Sequence, residues 1–468
     1  MSLTPVLDRA ELEKKLAELI DKHQVPGAQL AVLDGDTITE VAAGVLSIRT
    51  GCPVSTDALF LPGSIGKLYT ATLVLMLADE GLVDLDRPVK SYLPDFEVRD
   101  AHARDGVTVR DLLRHTSGFD GDVFIDTGRG DDALPRYMQE IRDLPQIAEP
   151  GAIWSYSNSG YSILGRLVEV VGGTVFETAL RERLLEPLGL EHSVVFAEEV
   201  IGHPNSVGHV PDPEDPESLM VSPQWGLYRS CGPMGASLVA SAGDVIRFAL
   251  LHLDGGVAAD GTRLLSADLV AAAQQPQIDL VDDTVLGESW GLGWILDHFG
   301  EVKVIGHDGN SLGQNAFMRV APDQRFGFCL QTNVESALSM YRELADWLFE
   351  QRLGVTTRQD PAALESPVVA DPGRYVGTYA REGMAFEIAE AEDHSLVATL
   401  KATHAAAEMQ NLPPMEDLPL VPVVRDDSFL LDLPIADSAL LAVFFNPADE
   451  AGAPTYLHFG GRAHRRVS

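Results

Sequence analysis

The stretch that decides the fold is Leu61-Pro62-Gly63-Ser64-Ile65-Gly66-Lys67-Leu68-Tyr69-Thr70, followed by an apolar run to Ala78. Pro62 and Gly63 are typical of a bend, and Ser64 stands where an N-cap or first-turn residue is expected. The run that follows is apolar on every side, which predicts a buried helix. Ser64 would then lie beside unpaired backbone N–H groups and the positive end of the helix dipole.

Lys67 follows Ser64 at i+3, on the same helix face. A desolvated lysine near a helix N-terminus is expected to have a lowered pKa, because both surroundings disfavour the ammonium. It can then accept the serine proton at neutral pH. The motif alone is weak, since a chain with seven lysines contains S-x-x-K by chance with odds of roughly one in three. Its setting strengthens it, because a buried lysine is costly unless it is used.

The composition limits the possible partners. The chain of 468 residues carries 34 Lys and Arg against 70 Asp and Glu, a formal charge of −36. This charge argues against nucleic acid and anionic membranes as partners. Cys52, Cys231 and Cys329 are too few for a disulfide framework and fit a reducing compartment. The sequence shows no signal-peptide or membrane-spanning pattern, so we predict a cytoplasmic protein.

Helix and strand patterns alternate ahead of Ser64. Residues 9–23 predict an amphipathic helix. Residues 28–33 and 37–43 predict two strands around an Asp34-Gly35-Asp36 turn.

Residues 81–240 are richer in helical patterns and turns. A threonine cap opens a short predicted helix at residues 108–115, and the histidine that ends it, His115, is interpreted as structural. Residues 211–217, with the sequence Pro-Asp-Pro-Glu-Asp-Pro-Glu, predict a solvated, rigid loop.

Tyr156 and Asn158 form a second candidate pair. They are two residues apart, so in an extended backbone they face the same way. A tyrosine and an amide aimed at one spot can serve as a proton relay and a carbonyl-binding group. On these residues alone, a loop tyrosine and a turn asparagine are the simpler interpretation.

A third candidate lies near His307. Residues 290–296 predict one strand, and residues 302–310 predict an edge strand with His307 and Gly309 on one face. Gly309 would let a substrate approach the backbone. The H-x-G pattern also occurs at other histidines, and a surface histidine in a turn is about as well supported locally. A predicted hairpin and helix follow, at residues 316–321, 326–332 and 339–351.

Residues 355–372 are predicted to be a linker rich in proline, alanine and acidic residues. It divides the chain into a domain of residues 1–354 and a second domain of residues 373–468. Regularly spaced short strands predict an all-β barrel or sandwich there. These strand patterns lie at 374–379, 385–388, 396–400, 429–433, 440–445 and 455–459.

In this order, Ser64-x-x-Lys67, Tyr156-x-Asn158 and His307-x-Gly309 resemble the penicillin-binding protein and class C β-lactamase superfamily, with its family VIII esterase and D-aminopeptidase-like branch. The resemblance covers roughly residues 8–352. It implies an α+β domain, in which helices flank an antiparallel sheet of five to nine strands, with an all-α insert at about 81–240. The tail, with Tyr375-x-Gly377-x-Tyr379 and Phe459-Gly460-Gly461-Arg462, resembles the lipocalin-like barrel of some members.

The resemblance also implies a role for each site residue. Ser64 would be the nucleophile, and Lys67 and Tyr156 would share the general acid and base work. Asn158 would orient the substrate and Lys67. The backbone N–H groups of Ser64 and Asn310 would form the oxyanion hole.

The third motif departs from the β-lactamase pattern. Where β-lactamases and transpeptidases of this superfamily carry Lys-Thr-Gly or Lys-Ser-Gly, this chain has His307-Asp308-Gly309. The change removes a carboxylate clamp for β-lactams and Asp308 adds negative charge nearby, so we do not expect efficient β-lactam turnover. A histidine here is seen in the esterase and D-amino-acid-specific peptidase branches. Arg462 could hold an anionic substrate group, although a surface arginine is the simpler interpretation.

We therefore expect hydrolysis of an ester or a small amide or peptide, with a small-molecule or short-peptide substrate and no metal or other cofactor. Acyl transfer such as peptide cyclisation, and a catalytically silent peptide-binding protein, stay open as alternatives. A third alternative places the nucleophile at Ser311, in Gly309-Asn310-Ser311-Leu312-Gly313. This segment matches the G-x-S-x-G pattern of a nucleophile elbow. Such an elbow requires a helix after the serine, whereas a strand pattern follows here. The sequence leaves the substrate chirality and the oligomeric state open.

Overall fold

The computed structural model describes residues 7–358, 361–364, 369, 371–402, 415–433, 439–446 and 452–468, with residues 216 and 217 described for the backbone alone. Parts of the predicted linker, at 359–360, 365–368 and 370, lie outside the described residues. The helices are α1 (Arg9–Lys22), α2 (Gly66–Asp79), α3 (Ala101–Gly106), α4 (Val109–Leu113), α5 (Ala133–Glu140), α6 (Asn158–Gly172), α7 (Phe176–Leu180), α8 (Ala242–Leu253), α9 (Ala267–Ala273) and α10 (Leu338–Leu353).

The strands fall into a large sheet, two small ribbons and a barrel. Up to the barrel they are β1 (Gly27–Asp34), β2 (Thr37–Gly44), β3 (Ser193–Val194), β4 (His209–Asp212), β5 (Asp215–Val221), β6 (Val239–Ala240), β7 (Ile278–Asp279), β8 (Ser289–Trp290), β9 (Ile295–Phe299), β10 (Val302–Ser311), β11 (Gln314–Ala321) and β12 (Phe326–Thr332). The barrel strands are β13 (Gly377–Arg381), β14 (Met384–Glu390), β15 (Leu396–Ala402), β16 (Met415–Pro422), β17 (Ser428–Leu431), β18 (Leu440–Phe445), β19 (Tyr456–Phe459) and β20 (Arg462–Arg466).

The large sheet has eight antiparallel strands in the order β2-β1-β12-β11-β10-β9-β8-β7. Helices α1 and α10 pack on one face, where Leu16 and Leu344 join Phe328 in one apolar core. Helices α2 and α8 cover the other face, where Leu68 and Phe248 belong to a second core. Because both faces are covered, strand β1, which lies between β2 and β12, is mostly apolar and is buried almost throughout. The predicted α+β architecture is confirmed.

Helix α2 is buried from Gly66 to Leu77, as its all-round apolar sequence predicts. A single 3₁₀ turn, Gly63–Ile65, precedes it, so Ser64 lies in this turn and does not cap the helix. The turn holds Ser64 at the mouth of a helix that is itself fixed in the core.

The insert at about 81–240 is mostly helical, but the prediction that it is all α is wrong. Strands β4 and β5 pair antiparallel across the segment 211–217, which was predicted to be a loop. A proline at residue 216 is compatible with β5 because a two-stranded ribbon leaves one edge of each strand unpaired.

Two strand predictions near the site also need correction. Residues 290–296 form the ends of two strands, β8 and β9, joined by a turn, and not one strand. Strand β10 lies between β9 and β11 and is not an edge strand as a whole. Its pairing with β9 nevertheless stops at Gly306, so His307 to Ser311 are paired with β11 alone. This half-open end of β10 is the part that meets Ser64.

The C-terminal strands β13 to β20 close into an eight-stranded barrel. Aromatic and aliphatic side chains fill it, including Tyr379, Phe386 and Phe444. The sequence patterns missed β16, which contains two prolines, and β20, which is rich in basic residues. Among the described residues, no helix has the length and apolarity to span a membrane.

The β19–β20 hairpin of the barrel docks beside the second motif. The Tyr156 N–H donates to Gly461 O at 3.0 Å, and the Ala463 N–H donates to Ser155 Oγ at 3.1 Å. The tip of the barrel therefore lies against the backbone that carries Tyr156.

Candidate active site

Ser64 and Lys67 form the centre of the site. The Nζ atom of Lys67 lies 2.9 Å from Ser64 Oγ and donates to Met234 O at 2.5 Å. Lys67 is fully buried. Burial, and after it the positive charge of Arg462, lowers the pKa of Lys67 well below the usual lysine range. This shift favours the neutral amine, whose lone pair can take the proton of the Ser64 hydroxyl.

The ring of Tyr156 lies between the side chains of Lys67 and Arg462. Its centroid is 4.9 Å from Lys67 Nζ and 4.6 Å from the guanidinium carbon of Arg462. Burial raises the pKa of the Tyr156 phenol, while the Ser64 hydroxyl and Arg462 oppose that rise. Among the described residues, the Tyr156 hydroxyl has no hydrogen-bond partner of good geometry. The phenol is therefore protonated and available to a substrate group.

Asn158 begins helix α6, whose N-cap is Ser157. The Asn158 Nδ2 group donates to Asp122 Oδ1 at 2.6 Å. The bonds described for Lys67 end on Ser64 and Met234, so a role of Asn158 towards Lys67 stays a prediction. Sequence reasoning missed Asp122, because one acid among 70 carries no local signal.

The half-open end of β10 packs directly on the 3₁₀ turn of Ser64. A Cβ atom on Gly309 would lie 1.9 Å from Pro62 O and 2.9 Å from Ser64 N. A Cβ on Gly63 would lie 2.9 Å from Asn310 N. Glycine at both positions lets the two backbones touch, and this contact brings together the backbone amides of Ser64 and Asn310, the predicted oxyanion hole.

His307 faces the same space. Its Nδ1 lies 2.6 Å from Asp308 O. A carbonyl only accepts, so Nδ1 carries the proton and Nε2 is left as an acceptor. Burial, and after it Lys67, lowers the pKa of His307 to about 3, so the ring is neutral. Among the described residues, the buried Nε2 has no hydrogen-bond partner.

Asp308 points to the other face of the sheet, because successive strand residues alternate. Its carboxylate forms a bidentate pair with Arg319, at 2.6 and 3.0 Å, and Arg319 lies over the ring of Tyr341 in α10. Asp308 therefore does not add an unpaired charge beside Ser64. This geometry corrects the prediction that Asp308 binds the substrate.

Arg462, the first residue of β20, lies at the site and not on a remote surface. Its Nε donates to Asp122 Oδ2 at 3.1 Å and its Nη1 to Gly460 O at 3.1 Å. The two adjacent glycines, Gly460 and Gly461, were the available signal of a tight hairpin ahead of it. Its contact with a substrate stays a prediction.

The alternative nucleophile, Ser311, is the last residue of β10. Leu312 and Gly313 have positive φ values and turn the chain into strand β11. The segment is therefore strand, turn and strand. A nucleophile elbow needs strand, turn and helix, so this alternative does not fit the fold.

Comparisons with known proteins identify the family of the chain. The Beta-lactamase family model matches residues 12–352. Penicillin-binding protein 4 of Amycolatopsis lactamdurans is 42% identical over 380 residues, which is 80% of this chain and 98% of that protein. Esterase EstB of Burkholderia gladioli is 28% identical over 323 residues, which is 62% of this chain and 80% of that protein.

A solved structure extends the similarity to the barrel. The crystal structure of SurE covers 98% of this chain and 99% of its own, with 28% identity and a TM-score of 0.78; its structure with D-Leu gives 27% and 0.77. The ordered motifs meet around one serine, and the family model spans more than half of the chain. The chain therefore belongs to the β-lactamase family, whose members are serine hydrolases.

Proposed function

We propose that this protein hydrolyses an ester, or a small amide or peptide, through an acyl-enzyme on Ser64. The observation that carries the proposal is the pair of Ser64 Oγ and the fully buried Lys67 Nζ, 2.9 Å apart. A desolvated, neutral lysine is a competent general base for a serine. A protein that only binds peptides has no use for such a lysine, and burying one is costly.

In the acylation step, Ser64 Oγ attacks the substrate carbonyl carbon while its proton passes to Lys67 Nζ. The carbonyl oxygen becomes an oxyanion between the N–H groups of Ser64 and Asn310, where removal of one such donor typically costs roughly 10²–10³ in rate. The carbon–oxygen or carbon–nitrogen bond to the leaving group then breaks. The leaving group takes a proton from the Tyr156 phenol, which is reprotonated from Lys67.

Deacylation runs the same sequence in reverse with water as the nucleophile. Water gives one proton to the base formed by Tyr156 and Lys67, and its oxygen attacks the acyl carbon. Ser64 Oγ leaves and recovers a proton from Lys67. The site returns to its starting protonation state.

Two groups are proposed to select the substrate. The Nε2 of His307 is a buried acceptor without a partner among the described residues, so it suits a substrate N–H or O–H donor. Arg462 suits an anionic group such as a carboxylate. With histidine in place of the third-motif lysine, we expect β-lactams to be poor substrates.

Acyl transfer to an amine is the second candidate. The barrel hairpin brings Arg462 to Tyr156, where the guanidinium suits a carboxylate. The structure of SurE, which is similar along nearly the whole chain, was solved with D-Leu, a molecule that carries both an amine and a carboxylate. In this case an amine, and not water, attacks the acyl-enzyme. A D-configured residue beside the scissile bond is then the preferred substrate class.

The test is to treat the purified protein with a fluorophosphonate probe and to locate the adduct by peptide mass. Ser64→Ala and Ser311→Ala are treated in parallel. We expect an adduct on Ser64 that only Ser64→Ala loses. An adduct on Ser311 would overturn the nucleophile, and no adduct on the folded protein would favour the silent binder.

A substrate panel then separates the two candidates. It contains p-nitrophenyl acetate and butyrate, the p-nitroanilides of D- and L-leucine, and a peptidyl thioester with a free amino terminus. Release of free acid supports hydrolysis. A cyclic product from the thioester supports acyl transfer.

A further inference from the structure

Asp122 accepts hydrogen bonds from both domains at the edge of the site. The Asn158 Nδ2 group donates to its Oδ1 at 2.6 Å. From the barrel, Arg462 Nε donates to Oδ2 at 3.1 Å and Arg381 Nη1 lies 3.2 Å from the same oxygen. One carboxylate thus ties a residue of the second motif to two arginines of the barrel.

The backbone fixes where this carboxylate lies. Gly121 packs so closely on the N-cap of α6 that a Cβ there would lie 1.9 Å from Ser157 Oγ. Its carbonyl accepts the Ser159 N–H at 2.7 Å. The residue before Asp122 is therefore locked against the turn that carries Tyr156 and Asn158.

The charges explain why Arg462 stays at this place. Burial alone would raise the pKa of Asp122, but Arg462 and Arg381 hold it at about 2, so the carboxylate is ionised. A largely buried guanidinium needs such a counter-charge. Apart from Asp122, the hydrogen bond described for Arg462 is to the carbonyl of Gly460. Without the carboxylate, the described contacts that remain for the guanidinium are this one hydrogen bond and the Tyr156 ring itself, and neither supplies a counter-charge.

The hydrogen bond from Asn158 to Asp122 also sets the orientation of the Asn158 amide. A carboxylate only accepts hydrogen bonds, so the amide nitrogen must face Asp122. The amide oxygen is then turned away from Asp122 and is left to accept from another donor.

We propose that Asp122 is a positioning residue that makes the barrel part of the active site, by holding Arg462 over Tyr156 and by fixing the Asn158 amide. This inference rests on the proposed function of Ser64. It predicts that Asp122 acts on the chemistry through Arg462, although the carboxylate itself touches neither Ser64 nor Lys67.

The pH dependence of Ser64 labelling separates this role from a simple charge effect. The groups whose charges reach Lys67 are Arg462, Asp122, Cys231, His115 and His307. The labelling rate falls at acid pH when Lys67 becomes protonated. We call this fall the acid limb of the curve of labelling rate against pH. Loss of the negative charge of Asp122 alone lowers the pKa of Lys67 and moves the acid limb to lower pH. Loss of Arg462 from its place raises the pKa and moves the limb to higher pH.

We would measure fluorophosphonate labelling of Ser64 against pH in the full-length wild type, Asp122→Asn and Asp120→Asn. Asp120 is a matched control: it is buried at the same interface and bonds to Arg381 and to the Glu382 N–H, but the hydrogen bonds described for Arg462 go to Asp122 and Gly460 and not to Asp120. We expect Asp122→Asn to move the acid limb to higher pH and to slow labelling at neutral pH by roughly 10- to 100-fold. We expect Asp120→Asn to leave the limb in place.

Arg462→Gln provides a second route that does not depend on Asp122. It should move the limb in the same direction, and the double variant Asp122→Asn/Arg462→Gln should behave like Asp122→Asn alone, because the single Asp122 change has already released Arg462 from its place. A limb that moves to lower pH in Asp122→Asn, or additive losses in the double variant, would overturn the inference. Thermal unfolding of each variant confirms that labelling is compared between folded proteins. A wild type that is not labelled at all would instead reject the proposed function.

Discussion

The imidazole of His115 stacks on the phenol ring of Tyr156, with ring centroids 4.2 Å apart. The residues on both sides of Tyr156 are also bonded to His115. The Ser157 N–H donates to His115 Nδ1 and the Ser155 N–H to the His115 carbonyl, each at 3.0 Å. His115 itself has a φ of +58°, which is uncommon for a residue with a side chain and typical of functional sites. The interpretation of His115 as merely structural is therefore incomplete.

We expect His115→Asn to slow Ser64 labelling by the fluorophosphonate probe by roughly 10- to 100-fold. Asparagine tolerates the left-handed backbone, but it removes the ring that stacks on Tyr156. The control is His252→Asn, because His252 is also buried and bonds to Thr72, away from the labelled serine. If both variants lose the same stability and the same labelling rate, His115 does not position Tyr156.

The sequence predicts best those elements whose pattern is local. Helix α1 and strands β1 and β2 lie within one or two residues of their predicted bounds, because an amphipathic helix and a hairpin turn are both local signals. The motifs around Ser64, Tyr156 and His307 were found because their order along the chain resembles a family.

Contacts between distant parts of the chain were the part that the sequence could not predict. Asp122 and Arg462 are 340 residues apart, and only the closed barrel brings them together. The face on which Asp308 lies depends on the register of β10 with β11, where Asp308 pairs with Phe317. The roles of the site residues, the partner class and a cytoplasmic location stay predictions.

Gly309→Ala tests the contact between β10 and the turn of Ser64. Its Cβ would lie 1.9 Å from Pro62 O, so the turn or the strand must move and the predicted oxyanion hole must open. We expect labelling of Ser64 to fall by roughly 10²-fold or more, as measured by the rate of adduct formation. The matched control is Gly106→Ala, where an added Cβ meets nothing within 4 Å. Equal rates in Gly309→Ala and the wild type would show that the backbones need not touch.

Lys67→Met separates the catalytic use of the buried lysine from its cost to stability. Methionine fills a similar volume without an amine, so we expect Ser64 labelling to fall by roughly 10²–10⁴-fold. The folded pKa of Lys67 is lowered, so below the usual lysine pKa of about 10.4 the unfolded chain binds a proton that the folded chain does not. The free energy of unfolding of the wild type therefore decreases as the pH falls below this value.

The measurement is urea unfolding of the wild type and of Lys67→Met at several pH values. We expect the unfolding free energy of the variant, relative to the wild type, to rise steadily as the pH falls from about 10 to 7. The control is Lys401→Met, since Lys401 is an exposed residue of the barrel. A difference that does not change with pH would mean that Lys67 is protonated in the folded protein, and it would contradict its role as the base.

The pair of Asp308 and Arg319 is expected to stabilise the sheet behind the site. Arg319 is 4% exposed, so Asp308→Asn leaves a buried cation without its main partner. We expect the unfolding free energy to fall by about 3–5 kcal/mol, measured by urea unfolding.

Removing both charges in Asp308→Asn/Arg319→Met should cost less than the sum of the two single changes, because neither charge is then left unpaired. Glu387→Gln, which breaks a half-exposed pair with Lys401, should change stability little. Additive losses in the double variant would show that the two side chains do not act as a pair, and would leave Asp308 free to turn towards a substrate.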